Sequence, residues 1–401
     1  MRGPRIFVFG YHGWKNIGAE TRLVAIVENL RRLIPDASIT ASTFDRHNLD
    51  YLTTVDRRAY FNPGFHQRHV RRLLGDADLL LLSEGNMFSE RFSPLMIEGS
   101  ANAVEEAARQ GVKSVGLALD SGTVHPKRRE RLVAAIEALD RLTLRAPQAL
   151  DTLRGLGVRR EIEVTADCAL SMSTPAPELT GLLCARYGIG GGAVHAIAPV
   201  DFYMWPATVA LIGRPSEYLR WPVKATGGAE VRRQTGELID DWVRYTGHLL
   251  RSAPDVQVPL VVMDPSDQRI AGAIAARVGR PDRTPILDGH DLTPHEMSAL
   301  IRRFDSLTTS RYHALVLSLA YATPFVALGH DTRTRFVAEQ VGAGDAFVAH
   351  DDPHRVDRMI ELHGRVTAAA DEVRRTLVVS VAPLQAADKH NYELVRDLLD
   401  S

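Results

Sequence analysis

The sequence predicts an α/β protein, because short apolar strands alternate with amphipathic helices along almost its whole length. The run Leu79–Leu82 consists of four leucines, as expected of a strand that is covered on both faces of a parallel sheet. Residues 21–33 have apolar side chains at helical spacing and stop before Pro35. This succession favours a doubly wound parallel sheet with helices on both faces.

The predicted elements of the first series are bounded by glycine, proline and polar residues. Apolar runs predict strands, and periodic segments predict helices, at the following positions: strands at 6–10, 38–44, 79–82, 112–119, 142–144 and 162–165; helices at 21–33, 101–110, 127–139 and 146–156. The pattern breaks at residues 173–177, which contain two prolines, and again at the glycines of residues 188–192.

A second alternating series follows this break. Its predicted elements are strands at 194–199, 258–263, 306–309 and 324–328, and helices at 231–251, 267–278, 294–303, 314–320 and 335–341; helices at 354–377 and 382–399 end the chain. We therefore predict two Rossmann-like domains that face each other across a cleft, with C-terminal helices. The predicted boundaries are 1–175 for the N-terminal domain, 176–380 for the C-terminal domain and 381–401 for the last helix.

Composition excludes several functional classes. The 401 residues are 45% hydrophobic and 24% charged, with a formal net charge of −1. A nucleic-acid partner is not expected, because such binding depends on a basic excess. Cys168 and Cys184 form no ligand series, so we expect neither a disulfide framework nor a metal site. The sequence has neither a signal-type apolar run nor about 18 consecutive apolar residues, which predicts a cytoplasmic protein.

The residues that most suggest a function follow the predicted strand at 306–309. Arg311 and His313 lie between this strand and the next helix, the edge at which open α/β sheets bind ligands and helix N-termini attract anions. The next strand leads to Arg333 and Arg335, close behind His330 and Asp331. Three arginines and a histidine predict an anion site that contains a proton donor. The alternative is a solvated basic surface with a histidine that packs or caps a helix.

Five segments, in this order, resemble the polysaccharide pyruvyltransferase family. Residues 10–20 are similar to its GYYGxxNxGDE turn, residues 142–158 to RDxxS…LxxLGV, and residues 164–167 to TxDP. Residues 310–314 read Ser-Arg-Tyr-His-Ala, which matches SRxHA, and residues 329–333 are similar to YDxK. The matches span residues 6 to about 342, nearly the whole chain. The resemblance implies a GT-B-like arrangement of the two domains.

The resemblance also implies substrate-binding roles for individual residues. In the family an arginine at the position of Arg145 holds phosphoenolpyruvate, and the SRxHA residues correspond to Arg311 and His313. Arg333 stands where lysine is usual, a change that keeps the charge but alters the hydrogen-bond geometry. Asn16 of the first turn is carried over as a substrate contact.

The implied reaction moves pyruvate from phosphoenolpyruvate onto sugar hydroxyls as a ketal and releases phosphate, with no cofactor. Arginines suit the phosphate and carboxylate of the donor, and His313 suits the general acid that protonates its methylene carbon. The base for the sugar hydroxyl is expected in the N-terminal domain. Glu20, Glu84 and Asp167 lie at strand ends or a helix start there, and Glu20 and Asp167 are the catalytic candidates. Each could equally be a carboxylate that caps a helix.

The acceptor side departs from the family pattern. Where the family has glycine-rich turns, this chain has Glu84, Asn86 and Asp120, and Ala19 replaces the aspartate of GDE. We expect these side chains to contact the acceptor, a sugar or a glycolipid. A lipid-linked acceptor would bring the protein into peripheral contact with a membrane. The aromatic segment from Phe202 to Trp221 offers either sugar-stacking rings or a buried loop.

Two other interpretations stay open. A glycosyltransferase of the same two-domain shape would use a nucleotide sugar, with Glu339 as a candidate ligand of the ribose. A repurposed relative would bind an anion or a glycan without turnover. A dinucleotide oxidoreductase is not expected, because Gly10, Gly13 and Gly18 do not form GxGxxG.

Overall fold

The computed structural model describes residues 3–45, 47–60, 66–90, 95–204, 207–209, 223–225, 228–329 and 332–401. The chain forms two compact units. The first comprises the residues up to Lys15, Ala19–Ser173 and Leu384–Ser401, and the second comprises Asn16–Gly18 and Thr174–Pro383.

The first unit is built around a seven-stranded sheet with the order β3-β2-β1-β4-β5-β6-β7, in which every pair of neighbours is parallel. This order reverses direction between β1 and β4, as in doubly wound folds. Its strands are β1 (Arg5–Phe9), β2 (Ser38–Thr43), β3 (Arg57–Tyr60), β4 (Leu79–Leu82), β5 (Lys113–Leu119), β6 (Arg141–Leu144) and β7 (Glu163–Val164). Its helices are α1 (Ile17–Leu33), whose first two residues belong to the second unit, α2 (His66–Leu74), α3 (Leu95–Gln110), α4 (Pro126–Glu137) and α5 (Pro147–Leu156).

The second unit contains a six-stranded parallel sheet with the order β12-β11-β8-β13-β14-β15 and a two-stranded antiparallel pair, β9 and β10. Its strands are β8 (His195–Ala198), β9 (Ala207–Val209), β10 (Val223–Ala225), β11 (Leu260–Val262), β12 (Ile286–Asp288), β13 (Ser306–Thr309), β14 (Phe325–Gly329) and β15 (Phe347–Ala349). Its helices are α6 (Pro177–Tyr187), α7 (Ala229–Ser252), α8 (Gln268–Val278), α9 (Pro294–Arg303), α10 (Tyr312–Ala320), α11 (Thr332–Gln340) and α12 (Arg355–Ala368).

Each sheet is buried because its strands carry apolar residues on both faces. All four leucines of β4 are inaccessible to solvent, and Leu260 and Val262 of β11 and Leu307 of β13 are equally buried. The cores therefore lie on both sides of each sheet. The charged candidate residues Glu84, Asp120, Arg145 and Arg311 lie beyond the carboxyl ends of the strands.

The predicted fold class, an α/β protein with two parallel sheets covered by helices, is confirmed. The last helix differs from the prediction, because α13 (Ala370–Asp400) begins well before residue 382 and contains Pro383. Pro383 is exposed, while Leu377 and Val381 before it and Tyr392 and Val395 after it are buried. Packing on both sides of the proline outweighs its missing N–H. Within the described ranges, no helix is both long and apolar enough to cross a membrane.

Candidate functional site

At the carboxyl edge of the first sheet, side chains from four neighbouring strands come together. Glu84 follows β4, Asp120 follows β5, Arg145 follows β6 and Asp167 lies beyond β7. All four are buried. The ends of neighbouring parallel strands meet at one edge, which is why residues so far apart in sequence become neighbours.

Arg145 is held by two carboxylates. Its Nε and Nη2 donate to Asp120 Oδ2 at 3.2 and 2.8 Å, and its Nη1 donates to Asp167 Oδ2 at 2.7 Å. The side chain is only 1% exposed. A Cβ atom at Gly85 would lie 2.7 Å from Nη1, so this packing requires glycine there. In this structure Arg145 is part of a buried ion-pair network, and its role in binding a donor stays a prediction.

Arg22, which sequence reasoning missed, completes this network from α1. Its Nη1 lies 3.0 Å from Asp167 Oδ1, and its other nitrogens donate to the carbonyls of Ser83, Leu117 and Ala118. A fully buried arginine persists only when paired and hydrogen-bonded in this way. A sequence signal existed, because Arg22 occupies the same helical face as Ile26 and Leu30. We call Arg22, Arg145, Asp120 and Asp167 the buried arginine cluster.

Glu84 lies beside this cluster with an incomplete hydrogen-bond set. Its Oε2 is buried and has no hydrogen-bond partner among the residues that the structure describes. Burial raises the pKa of Glu84, against the opposing effects of Arg22, Arg145 and the backbone N–H of Asn86. Asn86 itself is half-buried. Burial thus disfavours the ionised form of Glu84, while the neighbouring arginines favour it.

Glu20 lies in the first turn of α1 and is buried. Its Oε2 accepts a hydrogen bond of 2.8 Å from the Tyr51 hydroxyl, and its Oε1 accepts one of 3.0 Å from the Lys15 N–H. Burial raises the pKa of Glu20 to about 7, although both donors oppose the shift. A carboxyl that titrates near neutrality is suited to accept a proton at working pH.

Asp167 has a capping role in addition to its ion pairs. Its Oδ1 accepts a hydrogen bond of 3.0 Å from the Ala169 N–H at the start of a 3₁₀ turn, Cys168–Ser171. The capping interpretation therefore applies to Asp167. Its assignment as a catalytic base stays a prediction.

The second unit brings Arg311 and His313 to the carboxyl edge of its own sheet. Arg311 follows β13 and occupies the N-cap position of α10 with an extended backbone. Its Nε donates to Asp267 Oδ2 at 2.6 Å, while its Nη2 donates to Asp267 Oδ1 at 2.5 Å and to Ser266 Oγ at 3.1 Å. The Arg311 side chain is 18% exposed and that of Asp267 only 1%. The carboxylate of the pair is therefore buried in the core, and the guanidinium is partly exposed to solvent.

The short segment Asn16–Gly18 belongs to this unit and lies at the same edge. Asn16 Nδ2 donates to Asp264 Oδ2 at 2.7 Å, and the Ile17 N–H donates to the Met263 carbonyl at 2.8 Å. A Cβ atom at Gly18 would lie 2.1 Å from His313 Nδ1. Asn16 and His313 are therefore both placed at this edge, and the imidazole packs directly against the glycine backbone.

Arg333 is the second residue of α11, and its guanidinium carbon lies 5.9 Å from the ring centroid of Tyr312. This distance is within cation–π range and places Arg333 beside α10. Arg335 is exposed and pairs with Glu339 at 3.0 Å along the helix surface, because residues four apart share a helix face. Its part in an anion site stays a prediction. His330, Asp331, Trp205 and Trp221 lie outside the described residues.

Asp264 and Asp267 were also missed by sequence reasoning. They follow β11 directly, in the run Asp-Pro-Ser-Asp. Charged residues after an apolar strand are the same signal that identified Arg311. The sequence therefore offered a basis for predicting Asp264 and Asp267 as site residues. Burial raises the pKa of Asp267 to about 6, against the opposing charge of Arg311. Within the described part of the chain, no group of three or more His, Cys, Asp or Glu residues could hold a metal ion.

Comparisons with known proteins agree with this architecture. A family model described as polysaccharide pyruvyl transferase matches residues 16–332. No curated protein sequence matches the chain. Among solved structures, a UDP-GlcNAc 2-epimerase from Neisseria meningitidis bound to UDP-GlcNAc is 10% identical, with a TM-score of 0.62 over 99% of this chain and 100% of that one.

Two further solved structures are similar. Anabaena Alr3699/HepE in complex with UDP-glucose is 13% identical, with a TM-score of 0.59 over 99% of this chain and 98% of that one. The E. coli ADP-heptose LPS heptosyltransferase II is 13% identical, with a TM-score of 0.50 over 92% and 99%. At these identities the likeness shows the fold, which is the two-domain GT-B type.

Proposed function

Because the chain belongs to the polysaccharide pyruvyl transferase family, we propose that it transfers pyruvate from phosphoenolpyruvate to sugar hydroxyls of a glycan or glycoconjugate. The product is a ketal, and phosphate is released. The family and the fold support a transferase that acts on sugars. The choice of phosphoenolpyruvate as donor is our proposal and rests on the anion-binding groups of the second unit.

The observation that carries the proposal is the hydrogen-bonding state of Arg311. Asp267 and Ser266 use its Nε hydrogen and both hydrogens of Nη2. Its Nη1 has no hydrogen-bond partner among the described residues and carries two hydrogens. Arg333 adds a second cation and His313 a proton donor at the same sheet edge. A donor with a phosphate, a carboxylate and a carbon to be protonated matches this set.

The proposed reaction begins when His313 gives its proton to the methylene carbon of the donor, which becomes a methyl group. The electron pair of the double bond forms that C–H bond and leaves an oxocarbenium-like carbon. One sugar hydroxyl attacks this carbon, phosphate leaves, and a second hydroxyl closes the ketal. Of the two hydroxyl protons, one balances the proton gained by the methyl group and the other leaves with phosphate. No redox step is involved.

The acceptor is assigned to the first unit. Glu20, with its pKa of about 7, is our candidate for the base that takes the hydroxyl proton. Glu84, Asn86 and Asp120 surround the edge at which a sugar would form hydrogen bonds, and Asp167 stays the second candidate base. The proposed reaction requires no cofactor. A lipid-linked sugar as acceptor would place the protein in peripheral contact with a membrane.

The deciding experiment measures phosphate release from phosphoenolpyruvate in the presence of a panel of glycosides and lipid-linked sugars. We expect release that depends on the acceptor, and a ketal methyl signal in the NMR spectrum of the product. Calorimetry with Arg311→Ala should show donor affinity at least ~10-fold weaker, because a charge-assisted contact contributes ~1.5–3 kcal/mol. Donor affinity that is unchanged in Arg145→Ala, Arg311→Ala and Arg333→Ala alike would contradict the donor assignment.

A nucleotide-sugar transferase is the second candidate. It is favoured by two solved structures of the same fold, one bound to UDP-GlcNAc and the other in complex with UDP-glucose. Glu339 is half exposed and bonded to Arg335, so it lies on the α11 surface. Tight binding of a nucleotide diphosphate-sugar, with no binding of phosphoenolpyruvate, would decide for this function. Binding of phosphoenolpyruvate without turnover on any acceptor would instead indicate a repurposed binding protein.

A further inference from the structure

We infer that Asp267 is a positioning residue that fixes the Arg311 guanidinium so that its Nη1 faces the anionic donor. The inference deepens the proposed function and rests on it for the identity of the donor. The orientation of Arg311 by the buried carboxylate of Asp267 is inferred from the contacts between the two residues. It does not depend on the donor and is tested separately.

The contact between Asp267 and Arg311 has a geometry that fixes the guanidinium. Asp267 contacts Arg311 with both carboxylate oxygens, on the Nε and Nη2 side of the guanidinium. A bidentate contact of this kind fixes the plane of the guanidinium as well as its position. Ser266 Oγ takes the remaining hydrogen of Nη2. Among the contacts of the described residues, Nη1 is the Arg311 nitrogen left for a ligand, so the contact leaves one defined direction for anion binding.

Hydrogen bonds hold the backbone turn that carries Asp267. The backbone N–H of Asp267 donates to the Asp264 carbonyl at 2.8 Å, and the Met263 N–H bonds to the Asp267 carboxylate. Asp264 caps the turn by accepting the Ser266 N–H at 2.9 Å, and Asn16 holds its other oxygen. On the opposite side, the Arg311 N–H donates to Thr309 Oγ1 at 2.9 Å. The backbones of Asp267 and Arg311 are therefore both held by hydrogen bonds.

Two possible roles of Asp267 predict opposite changes in anion affinity when its charge is removed. If Asp267 only neutralised Arg311, removing its charge would make the site more positive and tighten the binding of any anion. If Asp267 orients Arg311, removing the bidentate contact releases the guanidinium into several orientations and weakens binding. Asp267→Asn tests this directly, since the asparagine amide presents an N–H to Arg311 where a carboxylate oxygen had accepted.

The experiment measures the affinity of the full-length protein for phosphoenolpyruvate and for inorganic phosphate by calorimetry at pH 7.5. We expect Asp267→Asn to weaken both by at least ~10-fold, the loss of one charge-assisted contact. Asp291→Asn is the control, because Asp291 is an exposed carboxylate of the second unit that pairs with His290 and not with Arg311. It should leave the affinity for both anions unchanged. Equal or tighter anion binding by Asp267→Asn would overturn the inference.

A second readout is independent of the donor, and well-dispersed backbone amide signals from the same sample show that the variant is folded. In ¹⁵N spectra of the arginine side chains, the Arg311 Nε–H should be slowly exchanging in the wild type and lose this protection in Asp267→Asn. If the wild type binds no phosphoenolpyruvate, the proposed function fails, while this spectrum still decides whether Asp267 orients the arginine. Unchanged protection would overturn the inference. Ser266→Ala, a milder variant, should weaken phosphate binding a few-fold.

The pH dependence adds a third test. Arg311, Asp264 and the Met263 N–H face Asp267, and burial raises its pKa to about 6. Below that pH the wild-type carboxyl is protonated and resembles asparagine in charge. The affinity difference between wild type and Asp267→Asn should therefore shrink as the pH falls through about 6. The ionisation of the ligand cancels in this difference. A difference independent of pH from 5 to 8 would contradict an orienting carboxylate.

Discussion

The two sheet edges contain similar residues but use them differently. In the first unit, Arg145 and Arg22 are almost fully buried. Arg145 donates to two aspartates, and Arg22 donates to three carbonyls, while its Nη1 is paired with Asp167 at 3.0 Å without a hydrogen bond among the described residues. In the second unit, Arg311 has one carboxylate partner and keeps Nη1 available among the described groups, and Arg333 lies against a ring. An arginine at a strand end is an anion ligand only if its neighbours leave hydrogens unused. The arginines of the first edge therefore stabilise the structure around the proposed acceptor residues, whereas Arg311 at the second edge is suited to bind a charged ligand.

The largest expected effect tests the second edge. His313→Gln should lower the turnover of phosphoenolpyruvate by ~10²–10⁴-fold, the usual contribution of a general acid. Donor affinity should change far less, because glutamine keeps a hydrogen-bonding group next to Gly18. Steady-state kinetics and calorimetry separate the two effects. Near-normal turnover would show that His313 only positions the donor.

The next effect tests the first edge. Arg145→Ala leaves Asp120 and Asp167 with an uncompensated buried charge, so it should lower the free energy of unfolding by ~3–5 kcal/mol. Arg311→Ala should cost less, because its side chain is partly exposed. Urea denaturation of both variants gives the comparison. If Arg145→Ala were as stable as the wild type but failed to bind phosphoenolpyruvate, Arg145 would be a donor ligand and the contrast between the edges would be wrong.

Local patterns in the sequence predicted most of the fold, and the exceptions have physical reasons. The four leucines of β4 and the periodic α1 are continuous signals. The strand β3 contains two arginines, and the nine-residue α2 that follows it carries three more, so neither shows a long apolar run. Val70, Leu73 and Leu74 of α2 are buried, but the many polar residues between and around them mask the apolar pattern in the sequence. Edge strands and short helices gain their stability from tertiary packing, which the local pattern does not contain.

The sequence predicted some members of the candidate site but not how they pair. Strand-end positions identified Arg311, His313 and the carboxylate of Asp167, because parallel strands deliver their carboxyl ends to one edge, and the family resemblance identified Arg145. The partner of each charge depends on which strands are neighbours, and the sequence does not state the strand order. Asp267 could be placed opposite Arg311 only after β11, β8 and β13 were known to lie side by side.

A third prediction sharpens the role of close packing at the second edge. Alanine usually stabilises a helix relative to glycine by ~0.5–1 kcal/mol. At Gly18 the added Cβ would meet His313 Nδ1, so Gly18→Ala should displace the imidazole and lower turnover by up to ~10²-fold. Gly272→Ala, in α8 with open space around the Cβ position, is the control and should leave turnover unchanged. Equal turnover in both variants would show that the imidazole position is not critical.

The smallest effect concerns Glu20, where stability and activity should change in opposite directions. Its pKa is about 7 in the folded protein and about 4.5 in a free chain. The folded state therefore holds more protons between these values, and its stability falls as the pH rises through 7. Glu20→Gln, which cannot ionise, should be more stable than wild type by ~1–3 kcal/mol at pH 8 and about equal at pH 4.5.

The same substitution removes the candidate base, so turnover should fall although the protein is more stable. Thermal melts from pH 4.5 to 8 and phosphate release at pH 7.5 measure the two quantities. Glu130→Gln, an exposed carboxyl on α4, should change neither. A Glu20→Gln protein that is stabilised at pH 8 and fully active would assign Glu20 to the structure of the first edge, and Asp167 would become the next base to test. A protein destabilised at every pH would show that the ionised carboxylate is what Tyr51 and Lys15 require.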